Sequence, residues 1–146
     1  MVGAGSATYH LAYQLADKFA VVASNEKTVP ELTRRIKLMG CYDRMTSMRP
    51  LNIPMLQMAE HKDEVEEKFI DIARYQIDEE GAQLIVAGNG YIFPALGLGS
   101  REKIQRRLGV PVLEGPPIAI KTIEMLVNLK LTHSKKTYPH PVVSMG

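Results

Sequence analysis

The stretch Leu84-Ile85-Val86-Ala87-Gly88-Asn89-Gly90, residues 84–90, decides how this chain folds. Its first four residues are apolar without a break, and the run stops at a glycine. A short run that is apolar throughout, rather than at every second position, marks a strand buried on both faces. Such strands belong to parallel sheets with helices on either side. Asn89 then stands between two glycines where that strand ends. In an open α/β sheet, that edge carries the ligand-binding loops. Asn-Gly is also a plain turn former, so the stretch alone leaves both readings open.

Working outward, residues 63–80 predict a long helix. Val65, Phe69, Ile72, Ala73 and Gln76 follow the three-and-four spacing, and Gly81 ends it. Residues 19–24, FAVVAS, form a second short buried strand. Thr28-Val29-Pro30-Glu31 has the form of a capping box with proline in the first turn, so a helix is expected from there to about Met39, ending at Gly40. Residues 44–49 read weakly as a strand, and 50–59, with two prolines, as a loop. Before these, residues 6–18 place Tyr9, Leu11, Ala12 and Leu15 near one helical stripe. Downstream, Ser100 is expected to cap a short helix, REKIQRRL, that Gly109 closes. Residues 110–113 are another strand, and Pro116 and Pro117 open a last helix, IAIKTIEMLVNL. From Thr132 no periodicity remains.

The alternation predicts an α/β fold: a mostly parallel sheet of about four strands with helices on both faces, Rossmann- or flavodoxin-like in kind. One domain over residues 1–131 and a tail over 132–146 are expected. The opening MVGAGSA reads as a strand-to-helix turn with almost no strand before it.

Composition narrows the functional classes. The chain has 146 residues, 45% hydrophobic and 23% charged, an ordinary globular balance for one domain. A net charge of +2 is too small to argue for nucleic acid or an anionic membrane surface. No apolar run approaches the ~20 residues that span a bilayer. With a single cysteine, Cys41, no internal disulfide forms, and nothing resembles a signal peptide, so a cytoplasmic location is expected.

Three loops fall at strand carboxyl ends: Gly3 to Ser6, Gly88 to Tyr91, and Glu114 to Pro117. The helix N-termini that follow favour an anion such as a carboxylate. Ser6 either binds that carboxylate or caps the first helix. Glu114 either contacts a ligand's polar end or braces its loop. Tyr91 and Phe93 either wall a pocket or pack the loop down. His10, beside Leu11, reads as structural, and His133 and His140 are too isolated for a metal site. Arg34-Arg35 and Arg106-Arg107 read as solvated helix faces, and Cys41 as a structural thiol away from the rim.

The segments VGAGSATYHLAYQLADKFAVVASNEKTVPEL, DEEGAQLIVAGNG, RLGVPVLEGPPIAIKTIEMLV and LTHSKKTYP resemble, in order, the aspartate/glutamate/hydantoin racemase family. The last is most similar to the hydantoin racemase branch. The resemblance is to the second half of such enzymes, which have two similar α/β halves with the active site between them. It implies a cofactor-independent racemase, an isomerase acting on a small carboxylate or a cyclic ureide such as a hydantoin. No metal, flavin or nucleotide is implied. The family uses two cysteines, one per half, as acid and base, and the second stands in a Gly-Cys-x-Gly-like turn. Here Gly88-Asn89-Gly90-Tyr91 occupies that turn. A neutral carboxamide is no base near pH 7, so the chain by itself is expected to be inactive in the two-thiol reaction.

The resemblance therefore casts Asn89 as a polar contact in place of the acid/base. Gly88, Gly90 and Tyr91 would offer backbone donors to an oxyanion, and Ser6 and Glu114 would share the pocket with Asn89. A homo-oligomer, or pairing with a separate first-half polypeptide, is expected to cover the open face. Two alternatives stand beside this. One is a non-catalytic half-domain that binds a small carboxylate or pairs with a partner. The other is a dinucleotide-binding module, since Val2-Gly3-Ala4-Gly5-Ser6-Ala7-Thr8 imitates a dinucleotide fingerprint with Glu26 near the ribose position, although Thr8 replaces the third glycine.

Overall fold

A computed structural model describes residues 2–139 of the chain. In chain order the elements are α1 (Ala4–Leu15), β1 (Phe19–Ala23), α2 (Val29–Leu38), β2 (Met45–Pro50), α3 (Met55–Met58), α4 (Lys62–Asp78), β3 (Ile85–Ala87), α5 (Ile92–Leu96), α6 (Ser100–Leu108), β4 (Val112–Leu113) and α7 (Gly115–Asn128). The four strands form one sheet in the order β2-β1-β3-β4, and every pairing is parallel. This is the α/β architecture that the alternation of patterns predicts.

The run-like strands are buried on both sides for a simple reason. On one face Ala20, Val22, Ile85 and Ala87 meet Val65, Phe69, Ile92, Phe93 and Ile104 from α4, α5 and α6. On the other, Phe19, Val21, Leu84 and Val86 meet Tyr9, Ala12 and Ile36 from α1 and α2. Each large side chain so buried is worth about 1.5–3 kcal/mol relative to exposure, so neither face of β1 or β3 tolerates a polar position.

Several local expectations change. The capping box does not form. A 3-10 turn, Glu26–Thr28, precedes α2; the Asn25 side chain accepts the Thr28 N–H at 3.2 Å, and Thr28 Oγ1 donates to the Asn25 carbonyl at 2.8 Å. That turn holds Thr28 at φ −85°, ψ −19°, outside the extended conformation a capping side chain needs. Ser100 lies inside α6 rather than capping it. Gly99, left-handed at φ +79°, is the cap residue, and Ser100 Oγ donates to the Gly97 carbonyl at 2.7 Å. The expected loop over 50–59 contains the single turn α3, and α5 is too short to show a period. Arg107 is not simply solvated: it joins Lys103 in binding the buried Glu66, and also pairs with Glu67, clamping α6 to α4.

Gln76 sits at a core position of α4 because it repairs a defect. The β1–β2 pairing shifts register between Phe19 and Val21. Gln76 Nε2 donates to the Val21 carbonyl and to Ser47 Oγ, both at 3.0 Å.

At the far edge, α6 closes the sheet. Gln105 Oε1 accepts the Val112 N–H at 3.0 Å, and Arg101 Nη1 donates to the Val112 carbonyl at 3.2 Å. The last helix starts against α1: a Cβ added at Gly115 would lie 3.4 Å from Ala4 Cβ and 3.5 Å from Thr8 Oγ1. Beyond that start α7 is mostly exposed. In the tail, the rings of His133 and Tyr138 meet edge to face with centroids 5.4 Å apart. His140 and Pro141 lie outside the described residues.

Candidate functional site

Because the strands are parallel, Ser24 after β1, Asn89 after β3 and Glu114 after β4 all emerge on one edge of the sheet. The turn that opens α1 lies beside them. Two cavities flank that turn. The smaller, about 630 Å³, is lined by Ser6, Tyr9, Arg35 and Gly88 to Gly90. The larger, about 850 Å³, is lined by Ser6, His10, Arg101, Glu114 and Lys121. The expected single pocket for Asn89, Ser6 and Glu114 is therefore divided. Gly3 and Ser6 face both cavities, Asn89 only the smaller, and Glu114 only the larger.

Asn89 is held by its own side chain. Its Oδ1 accepts the Ser24 N–H at 2.8 Å, across the sheet's carboxyl edge. The carboxamide oxygen is thus engaged, and its NH₂ is the group left for a ligand. Gly88 cannot be the backbone donor expected of it, because its N–H is spent on the Val22 carbonyl at 2.9 Å. It is a glycine for packing: an added Cβ would stand 2.8 Å from Val21 Cγ1 and 3.1 Å from Leu32 Cδ1. Among the described residues the Gly90 and Tyr91 N–H groups have no backbone acceptor outside a helix. The Tyr91 side chain packs against the core on the α4 face, and Phe93 is buried there with its ring 5.4 Å from that of Phe69.

Ser6 is the third residue of α1, and Gly3 is the cap residue, so Ser6 does not cap this helix. Its Oγ lies 3.4 Å from His10 Nδ1, one turn on. His10 is exposed and lines the larger cavity, which replaces the expectation of a packed structural histidine. Glu114 is the extended residue before α7, half-buried, and its carboxylate makes no capping bond. Burial pushes its carboxyl up; Arg101 opposes that shift and Glu102 adds to it.

Beyond its basic charge in the first turn of a helix, where the dipole disfavours it, nothing in the local sequence pattern singles out Arg101 as a site residue. Arg35 lines the smaller cavity while paired with Glu31. Tyr9, expected only as part of an apolar stripe, carries a buried hydroxyl with no partner among the described residues; burial pushes its phenol up to about 12, with Arg35 opposing. Cys41 is buried and its Sγ donates to the Met39 carbonyl at 3.6 Å. It precedes the amino end of β2, the opposite edge of the sheet from Asn89. Glu26 lines neither cavity, and Thr8 is buried with its hydroxyl on the Ala4 carbonyl, so the dinucleotide alternative gains no geometric support.

A model of the Asp/Glu/hydantoin racemase family matches residues 1–123. Hydantoin racemase of Rhizobium meliloti is 27% identical over 97% of this chain and 57% of its own length. That of Paenarthrobacter aurescens is 25% identical over 97% of this chain and 58% of its own. The crystal structure of allantoin racemase from Pseudomonas fluorescens superposes with a TM-score of 0.83 at 33% identity, covering 98% of this chain and 60% of that one. Allantoin racemase from Klebsiella pneumoniae gives a TM-score of 0.83 at 25% identity over 92% of this chain and 53% of that one. The chain thus spans little more than half the length of the relatives it matches.

Proposed function

This chain belongs to the Asp/Glu/hydantoin racemase family, and from that premise we propose that its carboxyl-edge site binds a small carboxylate or a cyclic ureide such as a hydantoin. The observation that carries the reading is the Asn89 turn. Its carboxamide oxygen is anchored on Ser24, so the NH₂ presents donors at a fixed place on the rim. The N–H groups of Gly90 and Tyr91 follow it, and Ser6 lies across the same cavity. Donors so arranged suit a carbonyl or carboxylate oxygen.

Racemisation next to a carbonyl requires a base on one face of the carbon and an acid on the other. At position 89 the carboxamide binds and orients but moves no proton near pH 7. Cys41, buried on the opposite edge, does not replace it. The chain as it stands is a ligand-binding racemase-family domain, without two-thiol turnover of its own. It works in the cytoplasm and needs no metal, flavin or nucleotide.

A second copy of the chain covers the exposed face of α7. Ile120, Ile123, Val127 and Leu129 each leave about half or more of their surface to solvent, and a patch of that kind is ordinarily an interface. A two-fold dimer is its simplest closure.

The test is titration calorimetry with allantoin, hydantoin and small carboxylates, run beside an assay for deuterium wash-in at the stereocentre. Saturable binding without exchange is expected. Failure of every ligand to bind would overturn the reading.

A further inference from the structure

The larger cavity has a polarity that the Asn89 turn does not explain. Arg101 is placed there by the sheet, not by the ligand. Nη1 donates to the Val112 carbonyl at 3.2 Å and to Gln105 Oε1 at 3.1 Å, and Nη2 to Glu102 Oε1 at 2.6 Å. Those bonds use three of the five N–H donors of a guanidinium, which leaves Nε–H and one Nη2–H. A rigid, part-used guanidinium is a pre-organised receptor for an anionic oxygen. Glu114 stands two residues beyond the Val112 carbonyl that Arg101 grips. No hydrogen bond to its carboxylate is present among the described residues, although the group is half-buried. A carboxylate removed from water in this way gains from an N–H donor. Ser6, His10, Gln14 and Lys121 line the same cavity, and Leu11, Leu113, Ile118 and Met125 give it an apolar stretch of wall.

Resting on the family-based reading above, we infer that this cavity, which shares Gly3 and Ser6 with the Asn89 cavity, sets which ligand the site prefers. Arg101 takes a carboxylate, Glu114 takes an N–H group on the neighbouring atom, and the apolar wall takes a hydrocarbon side chain. The ligand class is an N-carbamoyl amino acid with an apolar side chain, preferred over the neutral hydantoin ring that it forms by closure with loss of water. A closed ring keeps the N–H for Glu114 but has lost the charged oxygens for Arg101. Arg101 and Glu114 are the residues that set this specificity.

The probes are N-carbamoyl-leucine and the hydantoin produced by its ring closure, titrated into the full chain and followed by amide NMR. The open acid is expected to shift the amides of Ser6, His10 and Glu114 and to bind about tenfold tighter than the ring, the difference made by one charge-assisted hydrogen bond. Glu114→Gln removes no internal hydrogen bond of the fold and should weaken both probes. Arg101→Gln should weaken the open acid alone, and Arg101→Lys should restore part of that loss. If Arg101→Gln unfolds the chain, the Glu114→Gln titration and the shift map decide. Shifts confined to Ser24, Thr28 and Asn89, or equal affinity for the two probes, would overturn this inference and leave the family-based reading standing. Absence of binding by both probes, with allantoin and small carboxylates also silent, would overturn both.

Discussion

Asn89 Oδ1 and the Ser24 N–H, 65 positions apart in the chain, are joined by a 2.8 Å hydrogen bond that ties the turn after β3 to the end of β1. Ser24 is fully buried, so its N–H has no water to fall back on. Position 89 is therefore both a rim residue and a brace. Asn89→Ala leaves a buried donor unpaired and should lower stability by about 1–3 kcal/mol in urea unfolding. Asn89→Asp keeps an acceptor and should lose less. An alanine variant as stable as the parent would show that the brace carries no weight.

The same position governs chemistry. The unmodified chain should produce no deuterium wash-in at the stereocentre of allantoin or a substituted hydantoin. Asn89→Cys introduces a titratable thiol on the rim, and detectable one-sided proton exchange is the expected gain. Exchange at enzyme-like rates by the unmodified chain would contradict the assignment of Asn89 as a non-catalytic contact.

Gly88 is restricted by space rather than by backbone angle. Its added Cβ would meet Val21 Cγ1 at 2.8 Å, on the central strand. Gly88→Ala should cost about 1–3 kcal/mol through overpacking, read as a lowered Tm. Gly90→Ala should be far milder, because there the nearest atom is Pro116 Cγ at 3.5 Å.

Glu114 makes a pH prediction. Its carboxyl is raised in the folded chain, chiefly by burial. The folded state then holds that proton more tightly than the unfolded state. Stability falls as pH rises from the ordinary carboxylate value through the raised one. Glu114→Gln lacks this loss. The stability of the variant relative to the parent should climb across that window and level off above it. A difference that stays flat with pH would exclude the burial of a charged Glu114 as a cost to the fold.

The exposed α7 face predicts association. Light scattering at micromolar concentration should report twice the mass of the chain. Val127, 68% exposed, makes no contribution to the core, so Val127→Glu should shift the mass to that of a monomer without unfolding the chain. A wild-type chain that is monomeric throughout would remove the dimer.

Much of the fold was legible because burial on two faces demands apolar residues at every position. Leu84 to Ala87 and Phe19 to Ala23 meet that demand within four or five residues, with no knowledge of their partners. Parallel pairing then puts Asn89 and Glu114 on one edge of the sheet. What the sequence could not carry is set by contacts between distant segments. The capping pattern at Thr28 was present in residue type, yet Asn25 and a 3-10 turn took its hydrogen bonds. Arg101 looked like any charged helix residue until β4 supplied the Val112 carbonyl that fixes it beside Glu114. The larger cavity is built between α1 and α7, which meet at Thr8 and Gly115, more than a hundred residues apart. Periodicity records which side of an element is buried, because that is a property of neighbours along the chain. Which polar atoms find one another is settled only by packing, because a hydrogen bond depends on position to within a few tenths of an ångström.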